Sequence, residues 1–230
     1  HVGVFTGALQ DVDGTRIPVA TISETFFESS HWRLDGATPQ RINLPAQSSI
    51  VGLFRGNLVF TLQEAWRGLP QGALGIYPFA DTGVEAPRAT ALFSPTDRQS
   101  VEGVAITRDA ILVAGYENVR GRILRFAPQG DSWGQTTIDL PTTGSVTFAG
   151  SSATEETAFA VYQDYTTPST LYALESNATQ ARAIRSLPAL FDASRFIAEQ
   201  FEATSRDGTR VPYYVVHARD IELDGHNPTL

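Results

Sequence analysis

The side chains able to do hydrolytic chemistry are few and scattered. A hydrolase-type serine nucleophile needs a G-x-S-x-G elbow, whose strained strand-to-helix turn exposes the hydroxyl. No such pentapeptide occurs in the 230 residues, and Gly150-Ser151-Ser152-Ala153 reads as a turn between strands. A triad also needs a histidine held by a carboxylate and reaching the serine. The four histidines are His1, His31, His217 and His226. His217 continues the alternating run Tyr213 to Val216, His31 beside Trp32 reads as a strand residue, and His226 falls in a turn. Asp11-Asp13 and Glu155-Glu156 are acid pairs of the kind normally solvated in loops. Neighbours on a strand point to opposite faces, so neither pair can flank a glycosidic bond. No metal-ligand spacing and no phosphate-cradling glycine loop appears. The expectation is a chain with no catalytic residue, no metal and no cofactor.

Composition narrows the classes further. Hydrophobic residues make up 42%, enough to fill a core, and charged residues 18%. The net charge is −8, and all 17 basic residues are arginine. That balance argues against a nucleic-acid surface, which needs clustered basic residues. No apolar run approaches the roughly 18 residues that would span a bilayer. Without cysteine there is no disulfide and no thiolate site. The chain contains no methionine, and His1 reads as an internal residue or a tag remnant.

Positioning must come from β-structure. Through residue 190 the chain is a series of short Val, Ile, Leu, Phe and Tyr runs separated by Gly, Pro, Asp, Asn and Ser clusters. A strand closed by proline recurs at Pro45, Pro95, Pro141 and Pro188, spaced by 50, 46 and 47 residues. A second series comprises residues 56–62, 108–114 and 156–162, and a third follows at 73–79, 121–126 and 169–175. A unit of about 45–50 residues holding four short strands is the size of a β-propeller blade. One small twisted sheet cannot bury both faces alone, whereas blades stacked around an axis can. Three full blades follow Ser49, with a truncated copy beginning near Ile17. That is too few to close a ring, and missing blades would expose an apolar sheet face. A β-sandwich is the other architecture that spaces strands regularly.

Several stretches resemble the prolyl oligopeptidase family of serine peptidases, and they come in the right order. Tyr165-Thr166-Thr167-Pro168-Ser169-Thr170-Leu171-Tyr172 is similar to that family's last-blade signature. Ser205-Arg206-Asp207-Gly208-Thr209-Arg210-Val211-Pro212-Tyr213 resembles the segment where the chain leaves the propeller for the α/β-hydrolase domain. Leu223-Asp224-Gly225-His226-Asn227-Pro228-Thr229-Leu230 is similar to the approach to the next hydrolase strand, and Asn118-Val119-Arg120-Gly121-Arg122 resembles bacterial members. The resemblance covers most of the chain and is specific from about Thr166 onward.

The resemblance implies an all-β partial propeller of three to four blades, each with four antiparallel strands, over residues 1–195. Residues 196–230 would be the junction and first strands of the α/β-hydrolase domain. It implies a substrate-gating role in a serine peptidase that cleaves short peptides after proline, with the Ser-Asp-His triad and the oxyanion tyrosine outside this chain. The partners would be short proline-containing peptides and the missing catalytic domain. The family's propeller lends residues to the substrate pocket near the end of the strand before Gln63-Glu64-Ala65-Trp66, which makes Trp66 and Gln63 candidate peptide contacts. Packing between blades is the other role for Trp66. Arg120, Arg122 and Arg125 could meet peptide carboxylates near the central channel or lie on an exposed blade edge. Tyr213 to Val216 is expected to pair poorly without its hydrolase neighbours. The competing function is a non-catalytic propeller that binds a protein or a carbohydrate.

Overall fold

The computed structural model describes residues 2–141, 143–175, 177–222 and 224–229. His1, Leu223 and Leu230, named above, lie outside the described residues. Four antiparallel four-stranded sheets follow one another along the chain, each with its strands in sequence order. The first contains β1 (Gly3–Gln10), β2 (Arg16–Ser23), β3 (Ser29–Arg33) and β4 (Gln40–Ile42). The second contains β5 (Ser48–Phe54), β6 (Asn57–Leu62), β7 (Leu74–Pro78) and β8 (Thr90–Phe93). The third contains β9 (Gln99–Ile106), β10 (Ile111–Glu117), β11 (Arg120–Gln129) and β12 (Ser132–Ile138). The fourth contains β13 (Ser145–Gly150), β14 (Thr157–Gln163), β15 (Thr170–Glu175) and β16 (Arg182–Ser186). Each recurring proline falls in the segment that follows a fourth strand. The first sheet corrects one expectation: it is a complete blade, because Gly3–Gln10 pairs with Arg16–Ser23 over their full lengths.

The first strand of each sheet packs against the first strand of the next, so β1, β5, β9 and β13 form the inner wall. Three cores fill the gaps between successive blades. Along a central strand the side chains alternate between two of them, as the two-residue period of a strand requires. On β6, Leu58, Phe60 and Leu62 face the first blade while Val59 faces the third. On β10, Ile111 and Val113 face the second blade while Leu112 and Ala114 face the fourth. These strands are apolar on both faces because both faces are covered, and each fully buried Leu or Ile contributes about 1.5–3 kcal/mol. At the ends of the arc, Val4 and Phe5 on β1 and Phe159 on β14 remain exposed at 61%, 65% and 39%.

A chain of polar links joins the blades at the end where each inner strand turns into the second strand. The Gly56 N–H of the β5–β6 turn donates to Asp11 Oδ2 at 2.6 Å. Arg55 in the same turn reaches Asp109 of the β9–β10 turn at 3.4 Å. Arg108 in turn pairs with Glu156 and donates its N–H to the Glu155 carbonyl of the fourth blade. Asp11 is only 7% exposed, so it is an inter-blade cap and not the solvated loop acid that local sequence suggested. Arg55 and Gly56 have φ of +49° and +76°, the left-handed pair that a tight two-residue hairpin demands.

After β16 the chain makes a short 3-10 turn at Ala193–Arg195 and enters a separate two-stranded sheet. Here β17 (Phe196–Thr204) pairs with β18 (Arg210–Ala218), with the Asp207-Gly208 turn between them. The expectation that Tyr213 to Val216 would pair poorly is corrected: all four residues are registered against β17. Helical structure among the described residues is limited to 3-10 turns, and none of it is long and apolar enough to cross a membrane.

Candidate functional site

The start of every inner strand and the end of every second strand lie at one end of the blades: Ser48 pairs with Leu62, Gln99 with Glu117, and Ser145 with Gln163. The hairpin β17–β18 docks at this end, on the third and fourth blades. Its principal landing point is the β10–β11 turn, Asn118-Val119, at φ of +49° and +59°. A β-branched residue in the left-handed region is an outlier that costs about 1–3 kcal/mol and persists only when its surroundings impose it. Both turn carbonyls are in use. Gln200 Nε2 donates to Asn118 O at 2.8 Å, and the Tyr214 hydroxyl donates to Val119 O at 3.4 Å. Arg120 Nε donates to Gln200 Oε1 at 2.6 Å.

The fourth blade supplies the other wall through the β14–β15 loop. Asp164 organises this loop: its Oδ1 accepts the Thr166 and Thr167 N–H groups at 2.8 and 2.6 Å. Its Oδ2 accepts the hydroxyl of the fully buried Tyr162 at 2.7 Å and that of Thr143 at 3.1 Å. Burial alone would raise the Asp164 carboxyl, but bonds from Tyr162, Thr166, Thr167 and Thr143 outweigh it and hold the group below the usual aspartate range. Burial pushes the Tyr162 hydroxyl well up, so it stays a donor. The loop thus fixed presents Tyr165, whose ring lies 5.5 Å from that of Tyr214. Between hairpin and blades is a cleft of about 630 Å³, lined among others by Tyr116, Val119, Tyr165, Pro212, Tyr213 and Tyr214.

A second cleft, of about 490 Å³, lies against the same turn and is lined by four arginines, Arg98, Arg120, Arg122 and Arg210. Glu117, Asn118, Gln200, Phe201 and Glu202 complete it. Glu202 bridges Arg98, at 3.1 Å, and Arg210. Those two guanidinium groups lower its pKa, Arg210 first. Arg122 Nε reaches Glu117 at 3.4 Å.

Trp66 and Gln63 follow β6, at the same end of the blades as the hairpin, but neither lines these two clefts. Trp66 is half-buried against the core between the first two blades, edge-on to Phe60 at 5.8 Å, with Arg67 over its ring at 5.3 Å. Gln63 is exposed. Arg120 and Arg122 come together in the arginine cleft, and Arg125 does not line it.

His31 is buried on β3, its Nδ1 3.0 Å from Thr21 Oγ1 and its Nε2 3.4 Å from Ser48 O. The carbonyl requires Nε2 to donate, leaving Nδ1 to accept from the threonine. Burial lowers its pKa, so it is a neutral bridge between two blades. His217 Nε2 lies 2.8 Å from Glu199 Oε2 on the hairpin's other strand, and Glu199 raises its pKa. His226 sits in the Asp224 turn, its N–H bonded to Asp224 Oδ1. Among the described residues no group of three or more His, Asp and Glu side chains could hold a metal ion.

Sequence reasoning missed Asp164, Gln200 and Tyr214. For Asp164 a signal exists: an aspartate two residues ahead of Thr166-Thr167-Pro168 favours a loop in which the carboxylate caps the following N–H groups. For Gln200 and Tyr214, whose partners lie about 80 and 95 residues away, there is none.

The family model for the prolyl oligopeptidase N-terminal β-propeller domain matches residues 56–186, more than half of the chain. An uncharacterised peptidase of Sinorhizobium fredii is 28% identical over all of this chain and 33% of its own length. An uncharacterised peptidase of Rickettsia prowazekii is 27% identical over 96% of this chain and 32% of its own. The chain thus spans about a third of the length of these relatives. Among solved structures, a post-proline cleaving enzyme from Rickettsia typhi superposes with a TM-score of 0.80 at 24% identity, covering 98% of this chain and 34% of that one. Oligopeptidase B from Trypanosoma brucei superposes with a TM-score of 0.66 at 17% identity, covering 96% and 32%. These two share the fold. The chain belongs to the prolyl oligopeptidase family, and its residues 56–186 match the family's N-terminal β-propeller domain.

Proposed function

We propose that these residues are the substrate-gating propeller portion of a prolyl oligopeptidase-like serine peptidase that cleaves short peptides after proline. The observation that carries this reading is the hairpin β17–β18, which leaves the last blade and docks back across the third and fourth blades through Gln200 and Tyr214. The passage from propeller to hydrolase domain lies at Phe196, and β18 is the first part of the chain to lead into that domain. The prolyl endopeptidase of Elizabethkingia meningoseptica, 27% identical over 40% of this chain, supports the preference for proline.

In this proposal the Ser-Asp-His triad and the oxyanion donors belong to the hydrolase domain. The serine attacks the proline carbonyl, the histidine moves its proton to the leaving amine, the oxyanion donors stabilise the tetrahedral intermediate, and water then hydrolyses the acyl-enzyme to free the serine. This chain positions and excludes. Blades packed around the axis admit a short peptide and turn away a folded protein, a selectivity that needs no catalytic residue. Trp66 and Gln63 remain candidate peptide contacts at the hairpin-facing end, with Trp66 braced by Phe60. The exposed faces of the first and fourth blades are covered by further blades in this reading. The test is hydrolysis of a proline-containing chromogenic peptide by the full-length protein and by the 230-residue chain alone.

A further inference from the structure

We infer that the arginine cleft is a binding site for a single carboxylate of a peptide ligand. Four of the chain's 17 arginines line one cleft of about 490 Å³ in a protein of net charge −8. Two glutamates share it, so the cleft carries an excess of two positive charges. Arg98 and Arg210 hold Glu202 between them, and Arg122 leans on Glu117. Arg120 is bonded through Nε to Gln200, a neutral acceptor. A guanidinium that is only partly desolvated and has no carboxylate partner among the described residues is the group best able to take a new one, because its planar fork matches a carboxylate bidentately.

The two glutamates also set the charge of the ligand. With Arg98 and Arg210 held by Glu202 and Arg122 leaning on Glu117, Arg120 is left as the one fork facing a neutral partner among the described residues, which suits a single carboxylate. The cleft begins at Arg98, one residue before the inner strand β9, and is crossed by the hairpin through Gln200, Glu202 and Arg210. A carboxylate held there anchors one end of a chain beside the inner wall, in a space large enough for a few residues. That the ligand is a peptide rests on the proposed function. The charge argument does not, and the test reads binding alone, so it succeeds or fails whether or not a bond is cleaved.

The test is calorimetric titration of the 230-residue chain with three acetylated tripeptides. These are Ala-Pro-Ala as the free acid, Ala-Pro-Ala as the C-terminal amide, and Ala-Pro-Glu as the C-terminal amide. The free acid should bind about tenfold more tightly than the neutral amide if the carboxylate is terminal, and the glutamyl amide should do so if it comes from a side chain. The preference should weaken as salt is raised from 50 to 300 mM. Arg120→Gln should abolish it, with Arg122→Gln as the second variant should Arg120→Gln loosen the hairpin. Glu202→Gln, which removes a competing carboxylate, should tighten the charged peptide severalfold, an effect a merely structural glutamate would not produce. Equal binding of all three peptides, or a preference unchanged in both arginine variants, overturns the assignment.

Discussion

Replacing Asp164 with alanine should destabilise the chain by about 2–3 kcal/mol and release the hairpin. The carboxylate accepts the Tyr162 hydroxyl at 2.7 Å and two loop N–H groups at 2.8 and 2.6 Å. Tyr162 is fully buried, so losing a charged acceptor costs about 1.5–2 kcal/mol, moderated because Thr143 Oγ1 stays 3.3 Å away. The two loop N–H groups, half-buried, add about 0.5 kcal/mol each, since water replaces part of what they lose. With an m-value of about 3 kcal/mol/M in urea for a chain of this size, the midpoint falls by roughly 0.7–1 M. Tyr165 loses its fixed loop and its contact with Tyr214, so amide exchange at 213–216 should quicken. Tyr162→Phe removes the hydroxyl and should make the aspartate substitution less costly, with a coupling of about 1.5 kcal/mol in the double-mutant cycle. An Asp164→Ala midpoint within experimental error of the parent, or strict additivity in the cycle, refutes the reasoning.

Two further outcomes follow from the same packing. A Cβ on Gly121 would stand 2.6 Å from Gly144 O, the atom that accepts the Gly121 N–H across the third and fourth blades, so neither can retreat without breaking that bond. Gly121→Ala should cost about 2–3 kcal/mol in a urea titration, whereas Gly7→Ala, which meets nothing within 4 Å, should be neutral or slightly stabilising. The two buried or paired histidines should give opposite pH dependences. The pKa of His31 is lowered by burial, so its contribution is complete above the unfolded value near 6.5 and is lost as pH falls toward the folded value. The pKa of His217 is raised by Glu199, so its contribution is complete below about 6.5 and is lost as pH rises through the folded value. The stability gap between parent and His31→Leu should narrow from pH 7.5 to 5.5, and that between parent and His217→Gln should widen, when urea midpoints are compared.

The blade repeat was legible because its signals are local: a proline after each fourth strand, and central strands such as Leu58–Leu62 and Ile111–Ala114 with apolar residues on both faces. The first blade was under-read for a local reason too. The strand β1 carries Gly3, Gly7 and Thr6 among its apolar residues and is largely exposed, so it lacks the dense pattern of a covered strand. Asp11 misled because its partner, the Gly56 N–H, lies 45 residues away, and nothing near an aspartate in sequence reports a neighbouring blade's turn. Arg120, Arg122 and Arg125 lie close together in the sequence, yet only the first two line the cleft, and Arg98 and Arg210, which complete it, come from an inter-blade segment and the hairpin. The contact that organises the site, Gln200 and Tyr214 on the Asn118-Val119 turn, depends on how the chain returns after the fourth blade, which is a property of the folded arrangement.

The most direct test of the central proposal is peptide hydrolysis, followed with a chromogenic substrate carrying its leaving group after proline. The full-length protein should release product, lose that activity to a serine-directed inhibitor, and spare the substrate in which proline is replaced by alanine. The 230-residue chain should release none. Sustained release by the 230-residue chain alone after inhibitor treatment, or a full-length protein indifferent to proline, would contradict the account.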